Sequence, residues 1–392
     1  TSIEYQIVAI LYNILLVPIF MAIFMMYRLF RKSGKFSQFE KLIFTLLILN
    51  ILLFICSLVQ VSFILLLFYP LIILNAILVC ACNAGSSAPA ASHNSLVTIN
   101  TYNYNPGNKT AVNITVGGSA PIQAEIDSGS DLTAINESAL NVANIIMTTE
   151  SISISYGGGQ NIVSGFLGYA GVTFTTTTGE SISSAPNTPI LVVTQGSVNE
   201  GGGNNAILGM RMNNQTSVKL YLPYPYNQMM VLNRSQNQLI FGQVTKAQVN
   251  TFANISMIPT KCINYAIPAT ATNQCWDTES SSVTYTYSQT GEGESTVNYH
   301  TIFDSGEALG NFYFSPAPSW MNYTTNGLIL NTITAAVNTD KGAVPLPLPT
   351  ILQYQNNPGN TANPGNTYFN SYQVLFDQAD GITGFLDPAS PL

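Results

Sequence analysis

Glu125-Ile126-Asp127-Ser128-Gly129-Ser130 and Ile302-Phe303-Asp304-Ser305-Gly306-Glu307 are two copies of one short pattern. In each, an apolar strand runs into Asp-Ser-Gly. The copies stand 304 − 127 = 177 positions apart, so each half of residues 83–392 holds one. The pattern places a carboxylate at a tight turn whose glycine lets backbone amides approach it. One such turn is common and means little. Two turns facing each other would bring two carboxylates into contact, where both cannot ionise and one proton is shared. Such a pair can take a proton from water and give one to a carbonyl.

The surrounding chain reads as strands. Val112–Val116, Ile122–Ile126, Ser151–Tyr156, Val172–Thr177, Ile190–Val193, Leu239–Phe241, Val283–Tyr287 and Tyr372–Phe376 are short β-branched and aromatic runs between Gly, Asn, Pro and Ser turns. That spacing predicts an all-β body. Glu137–Asn144 is the best short helical candidate.

Residues 1–82 have a different composition. Ile7–Met26, Leu42–Leu58 and Val61–Ala81 are apolar blocks, each of about the length of a membrane span or signal core. A buried core helix is the alternative for one block, but three in tandem argue for membrane. Arg28, Arg31, Lys32, Lys35 and Lys41 lie between the first two, and such charge marks a cytoplasmic side. The third block ends Val79-Cys80-Ala81-Cys82 before a polar stretch, which resembles a bacterial lipoprotein signal with Cys82 as the lipid-bearing residue. The two signals conflict: spans after a cytoplasmic loop would leave the body inside, whereas lipidation would leave it outside. The exported arrangement is the favoured expectation, with the first 60 or so residues, which begin at Thr1, lying upstream of the true start.

The whole chain is 46% hydrophobic and 8% charged, with a net charge of −7. Residues 83–392 carry seven basic and seventeen acidic side chains, a net −10, which disfavours a nucleic-acid partner. Only His93 and His300 could join Cys262 and Cys275 in a metal site, so no metal or cofactor is expected. The two body cysteines most simply form one disulfide in an exported domain, with two buried thiols as the alternative in a cytoplasmic one.

The body resembles the pepsin-like aspartic proteases over nearly its whole length. Asn113–Gln123 is similar to the hairpin that leads to that family's first catalytic Asp. Ile154–Gly159 with Ser164–Gly168 resembles the flap, Ala206–Gly209 the strand that braces the first Asp turn, and Val231–Arg234 with Leu239–Gly242 the end of the first lobe. Tyr372–Asp377 and Gly384-Phe385 resemble the last strands, and Gly365 stands at the second bracing glycine. The resemblance implies a bilobal all-β fold with a cleft. Its lobes would be 106–245 and 246–392, after a membrane or signal region 1–82 and a tether 83–105.

The resemblance also implies an aspartic endopeptidase acting on extended polypeptides, with Asp127 and Asp304 activating one water. Tyr156, Gly157 and Gly158 of the flap would hold substrate, together with Gly129, Ser130, Gly306 and Glu307 around the two turns. The body would be a monomer at the cell envelope, anchored by lipid or membrane helices. Three departures stand out. Ala134 replaces a usual Trp, Pro364 replaces an aliphatic residue before Gly365, and Glu307 replaces the Ser or Thr whose hydroxyl normally bonds the second Asp. Glu307 is expected either to turn outward or to stay protonated and donate that bond. The rival function is a catalytically inactive peptide-binding protein on the same fold, and a membrane transporter subunit ranks last.

Overall fold

The computed structural model describes residues 95–104, 109–156, 161–198, 203–213, 216–262, 274–289 and 293–392. The apolar blocks, Cys82 and the tether up to residue 94 lie outside them, as do Gly157 and Gly158. No helix among the described residues is long and apolar enough to cross a membrane. Every described strand belongs to the compact unit Ala91–Leu392.

The unit is all-β. Its one described α-helix, Lys246–Val249, is a single turn closed by a capping box between Thr245 and Gln248. Glu137–Asn144 forms two 3-10 turns, Glu137–Ala139 and Val142–Asn144, rather than an α-helix. Neither turn fully buries a residue, and the partial packing of Ala139 and Leu140 on the core does not extend it.

One large sheet carries the first Asp motif. Strand Ile122–Asp127 pairs antiparallel with Lys109–Val116 and parallel with Ala206–Gly209, where Gly209 stands opposite Asp127. Lys109–Val116 alternates enough to leave Asn113 exposed while Val112, Ile114 and Val116 are buried. Each of these three contributes roughly 1.5–3 kcal/mol by leaving water. Thr133–Asn136, Pro189–Gln195 and Asn161–Tyr169 continue the sheet to the hairpin strand Ile146–Tyr156.

In the other direction the same sheet crosses between the halves of the chain. Met229–Asn233 pairs with Gln373–Asp377, joining Val231 to Leu375 in register. Gln373–Asp377 then pairs with Ile382–Leu386, and that with Ala253–Ser256. The second motif is carried by a separate seven-stranded sheet built from residues between 282 and 363. Its core includes Tyr285, Phe312, Phe314 and Trp320, with Tyr285 edge-on to Phe312 at 5.1 Å. Cys262 and Cys275 form a disulfide with Cα atoms 5.1 Å apart.

Candidate active site

The two Asp-Ser-Gly turns meet as a near-symmetric pair. Ser128 Oγ donates to Phe303 O at 2.8 Å, and Ser305 Oγ donates to Ile126 O at 2.7 Å. In return, Ser128 N donates to Ser305 Oγ at 3.0 Å and Ser305 N to Ser128 Oγ at 2.9 Å. Each serine hydroxyl is thus donor and acceptor across the junction. All four bonds are buried, which ties the ends of the two motif strands to a single geometry.

That clamp sets the carboxylates against each other's turns. A methyl group on Gly129 would lie 2.5 Å from Asp304 Cγ, and one on Gly306 would lie 2.6 Å from Asp127 Cγ. Only glycine allows this approach. The turns also solvate the charges. Asp127 Oδ1 accepts from Gly129 N at 2.8 Å and Ser130 N at 2.9 Å, and Asp127 Oδ2 accepts from Ser130 Oγ at 2.5 Å. Asp304 Oδ1 accepts from Gly306 N at 2.8 Å. The main chain behind Asp127 is braced by Met210 N, which donates to Asp127 O at 2.9 Å.

Burial holds the Asp127 carboxyl well above the usual carboxylate range, and the charges of Asp304 and then Glu125 push it further. The Ser130 hydroxyl opposes this. Asp127 therefore tends to keep a proton where an exposed Asp would have lost it. One proton shared by two abutting carboxyls is a competent general acid–base pair.

Glu125 was not singled out by the sequence reading. It is 2% exposed, paired with Lys109 Nζ at 2.9 Å, and accepts from Tyr104 Oη at 2.5 Å. The signal was an acidic residue in an otherwise apolar strand, two positions before Asp127 and so on the same face.

The second turn departs from the first at its fourth residue. Glu307, which is partly buried, accepts from Leu309 N through Oε1 at 3.1 Å. It lies close enough to Tyr313 for its charge, with that of Asp304, to add to the burial that raises the Tyr313 phenol. Asp304 Oδ2 accepts from Asn363 Nδ2 at 2.9 Å, so a donor stands there in spite of Glu307. Asn363 also escaped the sequence reading, although an amide two residues before the bracing Gly365 was visible beside the unusual Pro364.

Tyr156 ends the strand Ile146–Tyr156 and stands opposite Asn161 in the hairpin. It is 9% exposed and belongs to an apolar cluster with Leu132, Ala134, Val163 and Leu191. The same residue lines a pocket of about 270 Å³ beside the first turn, together with Gly129, Ser130, Asp131 and Arg211. Arg211 reaches the other half of the chain, donating to Thr278 Oγ1 at 2.8 Å and pairing with Glu279 at 2.7 Å.

No family model matches the chain, and no curated protein does. Among solved structures, the aspartic proteinase from Irpex lacteus is similar over 75% of this chain and 98% of that chain, with 15% identity and a TM-score of 0.49.

Proposed function

We propose that the chain is an aspartic-type endopeptidase that hydrolyses peptide bonds in extended polypeptides. The observation that carries this is the pair of Asp-Ser-Gly turns locked through Ser128 and Ser305, with each carboxyl against the opposite glycine. In this reading a water between Asp127 and Asp304 loses a proton to one carboxyl while the other protonates the scissile carbonyl oxygen. The water oxygen bonds to the carbonyl carbon. Proton transfer to the amide nitrogen then lets the C–N bond break, and no covalent enzyme intermediate forms. The hairpin ending at Tyr156 would cover the bound strand and exclude bulk water. The donor from Asn363 favours turnover over mere capture, because both carboxylates keep a side-chain hydrogen bond.

The test is incubation of the full chain with a dye-labelled, denatured polypeptide across pH, with and without a statine-type transition-state inhibitor. Cleavage that is blocked by the inhibitor and abolished in both Asp127→Asn and Asp304→Asn is the expected result. Equal cleavage by a folded Asp127→Asn variant would overturn the assignment.

The proposal extends to an exported body held at the cell envelope as a monomer, by lipid on Cys82 or by the apolar blocks. The Cys262–Cys275 disulfide supports an oxidising compartment. Mass spectrometry of the mature N-terminus is the test: a lipid-modified Cys82 is expected, lost in Cys82→Ser. An intact chain retaining residues 1–81 would defeat the lipoprotein arrangement.

A further inference from the structure

The two halves of the dyad are held by different chemistry on their Oδ2 oxygens. On the first turn the fourth residue, Ser130, supplies a hydroxyl to Asp127 Oδ2. On the second turn that position is Glu307, a carboxyl engaged with Leu309 N. The donor to Asp304 Oδ2 comes instead from outside the turn. Asn363 ends the strand Thr361–Asn363, which pairs in parallel with His300-Thr301 immediately before the motif. It is 3% exposed, and its Nδ2 lies 2.9 Å from Asp304 Oδ2.

The amide has a fixed orientation. Asn363 Oδ1 accepts from Gly365 N at 3.0 Å, so the oxygen is committed and the nitrogen must face Asp304. A side-chain NH₂ can only donate. It therefore favours the ionised form of the carboxyl it faces.

Resting on the peptidase reading above, we infer that Asn363 is the positioning residue for Asp304, doing from a neighbouring strand what Ser130 does for Asp127 from within its own turn. The missing hydroxyl at Glu307 is thereby compensated by the amide of Asn363, and the two positions form one functional pair. The near-symmetry of the turns adds a consequence. A hydroxyl at position 307 would occupy the place that Ser130 holds on the first turn, within reach of Asp304 Oδ2.

The experiment compares the full chain with Asn363→Ala, Asn363→Asp and the double variant Asn363→Ala/Glu307→Thr. Two readouts are taken: the pH profile of kcat/KM on a dye-labelled denatured polypeptide, and the titration of Asp304 Cγ by carbon NMR of protein labelled at aspartate. The bond from Asn363 favours the ionised carboxyl, so on its loss in Asn363→Ala the acid limb and the Asp304 resonance should both respond at higher pH than in wild type. The isosteric Asn363→Asp keeps the packing while replacing the donor with a carboxyl, and should raise the Asp304 titration as well. If the alanine variant fails to fold, this one carries the test. The double variant should return both readouts toward wild type, which a merely structural role for Asn363 would not produce.

An unmoved Asp304 titration in a folded Asn363 variant overturns the inference, as does failure of Glu307→Thr to rescue. If wild-type cleavage proves absent or independent of Asp127, the peptidase reading fails by itself. The NMR titration would still decide whether Asn363 tunes Asp304.

Discussion

Lys219→Met should stabilise the protein, and by an amount that depends on pH in a defined direction. Lys219 sits in the 3-10 turn Val218–Tyr221 with its side chain fully buried, and its ammonium nitrogen finds no hydrogen-bond partner among the described residues. Burial lowers its pKa from 10.5 to about 7, against a smaller opposing pull from Asp377. That depression corresponds to a cost of roughly 5 kcal/mol. Between pH 7 and 10.5 the unfolded chain binds a proton at this site that the folded protein does not. Wild-type stability should therefore rise with pH across that window, and the full cost should be present below it. Methionine has a similar length and no charge to desolvate. Its advantage should be largest near pH 6 and smaller by about 3 kcal/mol at pH 9. Groups that do not interact with Lys219 are shared by both proteins and cancel in the difference; Asp377, whose carboxyl the Lys219 charge pulls down, does not, and its carboxyl should rise further in the variant.

Urea unfolding at the two pH values measures this. The chain's two tryptophans, Trp276 and Trp320, both lie in the folded body, so their fluorescence reports its unfolding even in the full chain. A stability difference that is the same at pH 6 and pH 9 would refute the reasoning, since it would mean the amine reaches water or a partner on folding.

Asp127→Asn should abolish cleavage yet raise stability near neutral pH. The wild-type carboxyl is held above its unfolded value, so its contribution is present in acid and lost as pH rises; unfolding midpoints at pH 4 and 7 check this. Gly306→Ala should cut kcat sharply with little change in KM, because its new methyl would press on Asp127 Cγ from 2.6 Å and part the carboxyls. Equal kcat in a folded variant would show that the carboxyl contact is dispensable. Tyr156→Ala should lower both turnover and stability, the latter by about 3–5 kcal/mol as for a buried aromatic, because Tyr156 is packed in the cluster around Leu132 and Val163. Tyr156→Phe separates the two effects: unchanged unfolding with reduced turnover would assign the loss to the hydroxyl.

The strands were legible because they depend on local order. Alternation in Lys109–Val116 and a continuous apolar run in Pro189–Gln195 state which faces are buried before any partner is known. Both Asp-Ser-Gly turns were legible for the same reason, since a carboxylate followed by a small hydroxyl residue and glycine is a local device. Glu137–Asn144 misled because so short an apolar spacing, which only half-buries Ala139 and Leu140 against the core, cannot hold an α-helix. The Cys262–Cys275 disulfide and the meeting of the two Asp turns were expected, but other couplings between distant segments were not legible. The pairing of Met229–Asn233 with Gln373–Asp377, which carries one sheet through both halves, follows from hydrogen bonds any strand could offer. The burial of Lys219 and the pairing of Glu125 with Lys109 depend on which loops and strands cover them. Asn363 is the clearest case. Its amide meets Asp304 across 59 positions, and only the parallel strand beside His300-Thr301 brings it there. A sequence names the groups that can bond, but the tertiary fold chooses which of them meet, because that choice is made by packing the whole chain at once.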